Sequence, residues 1–571
     1  MNLVLRIGCL FLVCVSHMAY AYDADISVED LYSNRLIFSN EGRPLVPVKM
    51  MKNRKKVVVS SEKGLTVRVD GSELLEIPGG EKLTIKRVRG KKAKTKSAWI
   101  LETLEGEKRL DRKAAQKKWA ARGVKVEMYS VGGVYGMRGT VFDNRAVHMI
   151  SKKKPSEDFY EKYGVRPNRI RWIEKAPTIK MSLASDSLSK KVTGSFIEVK
   201  DASGGFLTVK KVEHSKGYAS HGYADRNLRQ TVIMSSDRKG KIAVINLVFE
   251  DVLVAGILPS EMFPSAPMEA LKAQAVTARG ELFAKIGRRH FDDPSLICSE
   301  QHCQVYKGLT AETKRTTQAA SDTRGQLAFL DGKLVDSVYS ASCGGHTEPG
   351  HIVWDRAPSA ALKGRIDSPL ADPLSRPWLQ SALKRHPPAH ASNQMLQNFG
   401  ALAHMHIPLD LREERAVREF LELPRDVSFC GMSSFGAKKD IYRWERRFTQ
   451  AELTKKFEDL GVGEIQRLSI PERGPGGRLR TFLVEGSAGK SIIHRELPVR
   501  RRLGNLRSGL FVIDDKRAED GRLEEVIIKG GGFGHGSGMC QLGAIGMAES
   551  GYDYREILRH YYSGATVKQV F

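Results

Sequence analysis

At 571 residues the chain exceeds what a single domain usually holds, and its 41% hydrophobic content is that of a globular protein. Its 92 Lys and Arg against 66 Asp and Glu leave a formal charge of +26, which favours polyanionic surroundings such as nucleic acid, anionic lipid or acidic wall polymers. No apolar run reaches the length of a bilayer-spanning helix, which excludes an integral helical membrane protein.

The first 21 residues read as a secretion signal: Arg6, a short apolar core over Ile7 to Val15, and Ala19-Tyr20-Ala21 as an A-x-A cleavage site. Export from the cytoplasm removes nucleic acid as the polyanion. It also removes Cys9 and Cys14, leaving Cys298, Cys303, Cys343, Cys430 and Cys540. Five is odd, so either one thiol is free or some bind metal.

Residues 22–120 read as a basic β-rich accessory module. Val57-Val58-Val59, Leu65 to Val69 and Leu83-Thr84-Ile85 alternate in period two, with Gly64, Asp70-Gly71 and Gly79-Gly80 between them as hairpin turns. Residues 121–240 continue the pattern through "GSFIEVKDASGGFLTVKKV". Near 240 the character changes. "GKIAVINLVFEDVLVAGIL" reads as an apolar strand broken at Pro259, and Met268, Leu271, Ala275, Ala278 and Leu282 then mark an amphipathic helix. Ser265 is placed to cap that helix and Pro267 to occupy its first turn. A second helix is expected over Ala311–Thr323, then a hairpin turning at Asp331-Gly332. Residues 356–425 read as a mostly helical insertion, and strands return after Trp444.

Three places offer chemistry. Glu261, between Met262-Phe263 and the apolar run, is a carboxyl pulled two ways: apolar neighbours raise its pKa, and an expected helix N-terminus lowers it. A general acid at neutral pH needs burial to win. "CSEQHCQVYKG" sets Cys298, His302 and Cys303 within six residues, as zinc ligands with a fourth from elsewhere in the fold or from solvent, as a Cys298–Cys303 disulfide, or as buried unpaired thiols. "CGGHTE" from Cys343 reads by itself as a decorated turn. The glycine-rich "GGGFGHGSGMCQLGA" (530–544) lacks the lysine of a phosphate-binding loop, so its His535 and Cys540 need another explanation.

In chain order, "ILPSEM", "EALKAQAVTAR", "CSEQHCQVYKG", "YSASCGGHTE" and "FGHGSGMCQLGAIGMAESGYDYREILRHYYSGA" resemble the SpoIID/LytB family over roughly residues 240–571. The resemblance implies an α+β catalytic domain over 241–571 and bacterial cell-wall chemistry in the periplasm or envelope. SpoIID proteins are lytic transglycosylases of peptidoglycan glycan strands, preferentially strands stripped of peptides; LytB proteins modify amidases. The family's essential glutamate falls on Glu261, with Phe263 a departure before Pro264. The resemblance also favours a structural Zn²⁺ over a disulfide at Cys298, His302 and Cys303. It leaves Arg279, Tyr339, Ser340, His535, Ser537 and Gln541 as candidates to orient sugar, with Cys540 structural. Expected partners are glycan strands, a cell-wall amidase, and anionic envelope polymers held by the basic surface.

Overall fold

The computed structural model describes residues 26–105, 109–131, 134–137, 140–143, 145–217, 220–354, 358–369, 410–436 and 441–571. The expected signal segment and most of the expected insertion at 356–425 lie outside them. The architecture is α+β.

Two sheets face a shared apolar core. One runs in the order Ile37–Phe38, β1 (Pro44–Arg54), β2 (Ile242–Phe249), Thr231–Ser236, Ile197–Asp201, Leu65–Val69 and Glu73–Ile77; the two-residue strand Ile297–Cys298 pairs parallel to β1. The other runs Val192–Gly194, Thr178–Ala184, Lys82–Lys91, Lys56–Ser60, Phe206–His214 and Gly222–Arg229. Val48, Val67, Val199 and Val244 of the first sheet bury into one cluster with Val59, Leu83, Met181 and Leu207 of the second. The expected strands at 57–59, 65–69 and 83–85 are all present.

The sequence boundaries at 120 and 240 fall inside continuous sheets. Lys94–Glu105 pairs with both Ala146–Ser151 and Asn168–Lys175, and β1 pairs with β2. Pairing joins strands far apart in sequence across both positions.

Helices cover the end of this core. β2 is buried on both faces, and the chain then turns into α1 (Glu250–Glu261), whose first turn carries Glu250 and Asp251 where the helix dipole favours acids. The apolar run expected as one strand to Leu258 is therefore strand to Phe249 and helix thereafter. α2 (Met268–Lys285) follows; its N-cap is Pro267 with no side-chain cap, so Ser265 does not serve as one. α3 (Lys314–Asp322) begins on a Thr313 capping box, and the expected hairpin forms with Asp331 and Gly332 both at positive φ. Among the described residues no helix is long and apolar enough to cross a membrane.

Arg279 of α2 is 0% exposed and paired to Glu250 of α1, with further bonds to the Ala320 and Gln326 carbonyls. Glu250 also accepts from the Gly325 N–H. The expected sugar contact at Arg279 is thus corrected: its guanidinium locks three helices together inside the core. Arg279→Ala should cost about 3–5 kcal/mol, because it strands the Glu250 carboxylate without its partner. Urea unfolding checks this; a change under about 1 kcal/mol would contradict it.

Residues 441–531 form two three-stranded sheets around a separate core that includes Phe457, Phe482, Val484, Phe511 and Ile528. α4 (Gln541–Glu549) and α5 (Tyr554–Tyr561) return to the first core.

Candidate active site and metal centre

Glu261 is the last residue of α1, half-buried. This reverses one sequence expectation: the carboxyl lies at the C-terminal end of a helix, where the dipole disfavours negative charge, instead of at an N-terminus. Burial raises its pKa above the ordinary carboxyl range; hydrogen bonds from the Tyr339 hydroxyl and the Val305 N–H, and the charge of Lys285, offset only part of that rise. Burial and the helix C-terminus thus both favour the protonated carboxyl relative to an exposed one, the direction a general acid needs.

Tyr339 comes from a two-residue strand, β3 (Tyr339–Ser340), that pairs in parallel with β4 (Met539–Cys540) of the glycine-rich loop. Ser340 is buried and its Oγ accepts from the Gly536 N–H at 3.1 Å. Gly536 has φ 68°, and a Cβ there would fall on the buried Arg478 guanidinium, so this position admits no side chain. Arg478 donates to the carbonyls of Cys343 and His346, and Glu348 accepts from the Gly476 and Arg478 N–H groups. The "CGGHTE" turn is thereby clamped between the glycine loop and the 441–531 lobe.

The glycine-loop candidates prove to be mostly internal ties. Ser537 is fully buried, and its N–H donates to His535 Nδ1 at 3.1 Å. Gln541 spends its amide on the Glu261 carbonyl at 2.6 Å and on Gln274 at 3.2 Å, so it holds the catalytic segment. His535 packs edge-on to Trp354 at 4.7 Å and bonds the Tyr339 backbone. Burial, then Arg478, Arg500 and Lys285, push its pKa down to about 3, so the ring is neutral. His535 lies beside the Tyr339 backbone, and Tyr339 is the candidate whose hydroxyl lies beside the Glu261 carboxyl. His535→Ala should lower stability by about 1–3 kcal/mol, since it leaves buried partners unsatisfied. A denaturation midpoint equal to that of the parent would place the ring outside the packing.

Two exposed aromatics stand beside these segments: Phe263, which the sequence reading named only as a neighbour of Glu261, and Phe533, which it did not single out. Phe263, 40% exposed, lies two residues past Glu261 with its ring 5.3 Å from Phe435; Phe533, 41% exposed, lies two before His535. Their signal was an aromatic ring amid turn-forming residues.

Cys298, His302 and Cys303 come together with a fourth donor, His290, all ligand atoms within 4.8 Å of one another. His290 Nε2 is 3.1 Å from Cys303 Sγ, while Nδ1 lies 3.0 Å from Asp293, itself ion-paired to Lys49. A carboxylate on the far nitrogen fixes the imidazole as a metal ligand requires. His290 sits at φ 56°, a strained conformation for a non-glycine residue that its surroundings must enforce. Cys298 and Cys303 are unbridged. The two-sulfur, two-nitrogen donor set fits a tetrahedral metal, and the loop it would brace leads directly to Val305, the donor to Glu261.

The stage II sporulation protein D family model matches residues 238–329, the span that holds Glu261 and this four-donor cluster. The chain thus carries a SpoIID-family domain over residues 238–329. A second model, a domain of unknown function (DUF8618), matches residues 353–538. An uncharacterized protein of Brachyspira hyodysenteriae is 29% identical over 327 residues, 57% of this chain and 68% of its own. The stage II sporulation protein D of Bacillus amyloliquefaciens is 24% identical over 380 residues, 64% and 86% respectively. The amidase enhancer of Bacillus subtilis is 26% identical over 333 residues, 55% of this chain but only 40% of its own length.

Within the SpoIID domain and the segments it meets, Tyr339, Val305 and Gln541 lie against Glu261, and His535 lies beside Tyr339. Arg279 stays in the core and Ser537 behind the loop.

Proposed function

We propose that this SpoIID/LytB protein is an exported lytic transglycosylase that cleaves MurNAc–GlcNAc bonds of peptide-stripped peptidoglycan strands. The observation that carries the reading is the position of Glu261, half-buried at the C-terminal end of α1 with Tyr339 and Val305 beside its carboxyl, where burial raises its pKa. Protonated Glu261 gives its proton to the glycosidic oxygen, and the GlcNAc C4 hydroxyl departs. The carboxylate so formed takes the proton of the MurNAc C6 hydroxyl as that oxygen bonds to C1. The product is a 1,6-anhydro end, no water is consumed, and Glu261 finishes protonated. One carboxyl serves both steps, where hydrolases generally pair two.

His290, Cys298, His302 and Cys303 would hold Zn²⁺, whose contribution is structural: it braces the turn that presents the Val305 N–H. The net charge of +26 supports retention on anionic envelope polymers, weakening as salt screens it.

Because the general acid must start protonated, a raised Glu261 pKa keeps kcat/KM high at higher pH than an ordinary carboxyl would, and activity falls as pH rises through that value. A pH–rate profile on purified strands tests this; activity that climbs through that range contradicts an acid role.

The relative named amidase enhancer favours a second reading, a wall-binding protein that stimulates an amidase. In that case Glu261 binds sugar without transferring protons, and purified protein leaves glycan strands intact while speeding a separate amidase.

A further inference from the structure

We propose that Cys343, Asp367, Cys430 and Cys540 form a second metal site, separate from the His290 cluster, that binds one zinc ion. Their ligand atoms all lie within 4.8 Å of one another, and each of the four residues is 0% exposed. They come from four separate stretches: the turn after β3, the segment at 367, the short helix Phe429–Met432, and the N-cap of α4. No two are near in sequence, so only the finished fold assembles them.

The spacing suits a single ion. Zinc–sulfur bonds of about 2.3 Å in a tetrahedron put sulfurs about 3.8 Å apart. Cys343 Sγ lies 3.6 Å from Cys430 Sγ and 3.2 Å from Asp367 Oδ2. An iron–sulfur cluster needs its own volume between the sulfurs, and this envelope does not hold one. Thiolates with one carboxylate also select zinc over hard cations.

The surroundings are those of ligands. Cys540 Sγ accepts from the Cys343 N–H at 3.1 Å and the Gly543 N–H at 3.3 Å, bonds that favour a thiolate. Asp367 Oδ1 is held by the Tyr561 hydroxyl at 2.7 Å, with His560 3.4 Å away, which leaves Oδ2 toward the sulfurs. Ligating carboxylates are normally oriented by such outer partners. A disulfide explains less. Three cysteines form at most one bridge, leaving a buried thiol and a fully buried carboxyl beside it, whereas one ion engages all four.

The site would also fix the position of the glycine loop. Cys540 immediately precedes Gln541, whose amide holds the Glu261 carbonyl. Zinc here would set the loop against the reactive segment, as the His290 cluster sets Val305 from the other side.

Metal content of the full chain, purified under reducing conditions from zinc-replete cells, tests this without reference to activity. Two zinc ions per chain are expected in the parent, and one in Cys430→Ser. Should Cys430→Ser fail to fold, the parent reconstituted with cobalt must take up two ions per chain and show thiolate-to-cobalt charge-transfer absorption stronger than the two sulfurs of the His290 cluster can give. One zinc or fewer in the parent overturns the proposal, with or without a Cys343–Cys430 bridge in the peptide map. So does a folded Cys430→Ser that keeps two ions, or a cobalt-loaded parent that holds only one ion per chain.

Discussion

Glu261→Gln is expected to abolish release of anhydro-ended fragments while leaving the melting temperature at neutral pH unchanged or slightly raised. The substitution keeps the shape of the side chain and removes its transferable proton. The remaining amide oxygen accepts from the Val305 N–H, and the Tyr339 hydroxyl can rotate to accept from the new NH₂ group. Because burial already disfavours the ionised carboxyl, an amide relieves that cost above the raised pKa. General acid–base groups contribute on the order of 10²–10⁴ in rate, and here one residue performs both transfers, so activity should fall to background. A variant that still cleaves excludes Glu261 as the acid.

Removing the metal from the His290 cluster is expected to produce the largest loss of stability. Structural zinc contributes about 10–16 kcal/mol of apparent binding energy in small zinc-dependent folds, and here part of it holds a loop joined to β1 through Ile297–Cys298. Chelation, or Cys298→Ser, should lower the melting temperature far more than it slows the fraction that remains folded. Thermal scans with and without chelator, paired with metal analysis, give the comparison. An unchanged melting temperature after complete metal removal would mean that the cluster does not stabilise the fold.

What could be read from the sequence followed the range of its signals. Hairpins with Asp-Gly turns and the helix marked by Met268 to Leu282 are local and appear where expected, although that helix is buried nearly all round and not on one face. The run from Ile242 to Leu258 was ambiguous because a fully buried strand and a fully buried helix are both continuously apolar. Only the acidic pair Glu250-Asp251 marked the change, and missing it placed Glu261 at the wrong end of a helix dipole. His290 escaped because eight residues separate it from Cys298; its one local sign was Asp293 three residues on, where a carboxylate orients an imidazole. Arg279 illustrates the opposite failure. A charged residue on a helix near a reactive group reads as a ligand contact, and nothing local shows that Glu250, 29 residues earlier, packs against it. The inward tie of Gln541 likewise reaches the Glu261 carbonyl, 280 residues earlier, which nothing local announces.

The most direct test of Glu261-driven transglycosylation is mass spectrometry of the products from purified, peptide-stripped glycan strands incubated in heavy-oxygen water. Muropeptide-free fragments ending in 1,6-anhydro sugar, lighter than hydrolysis products by one water and free of solvent oxygen, are the predicted result. Reducing ends carrying solvent oxygen, or strands left uncut by folded, metal-loaded protein, would contradict it.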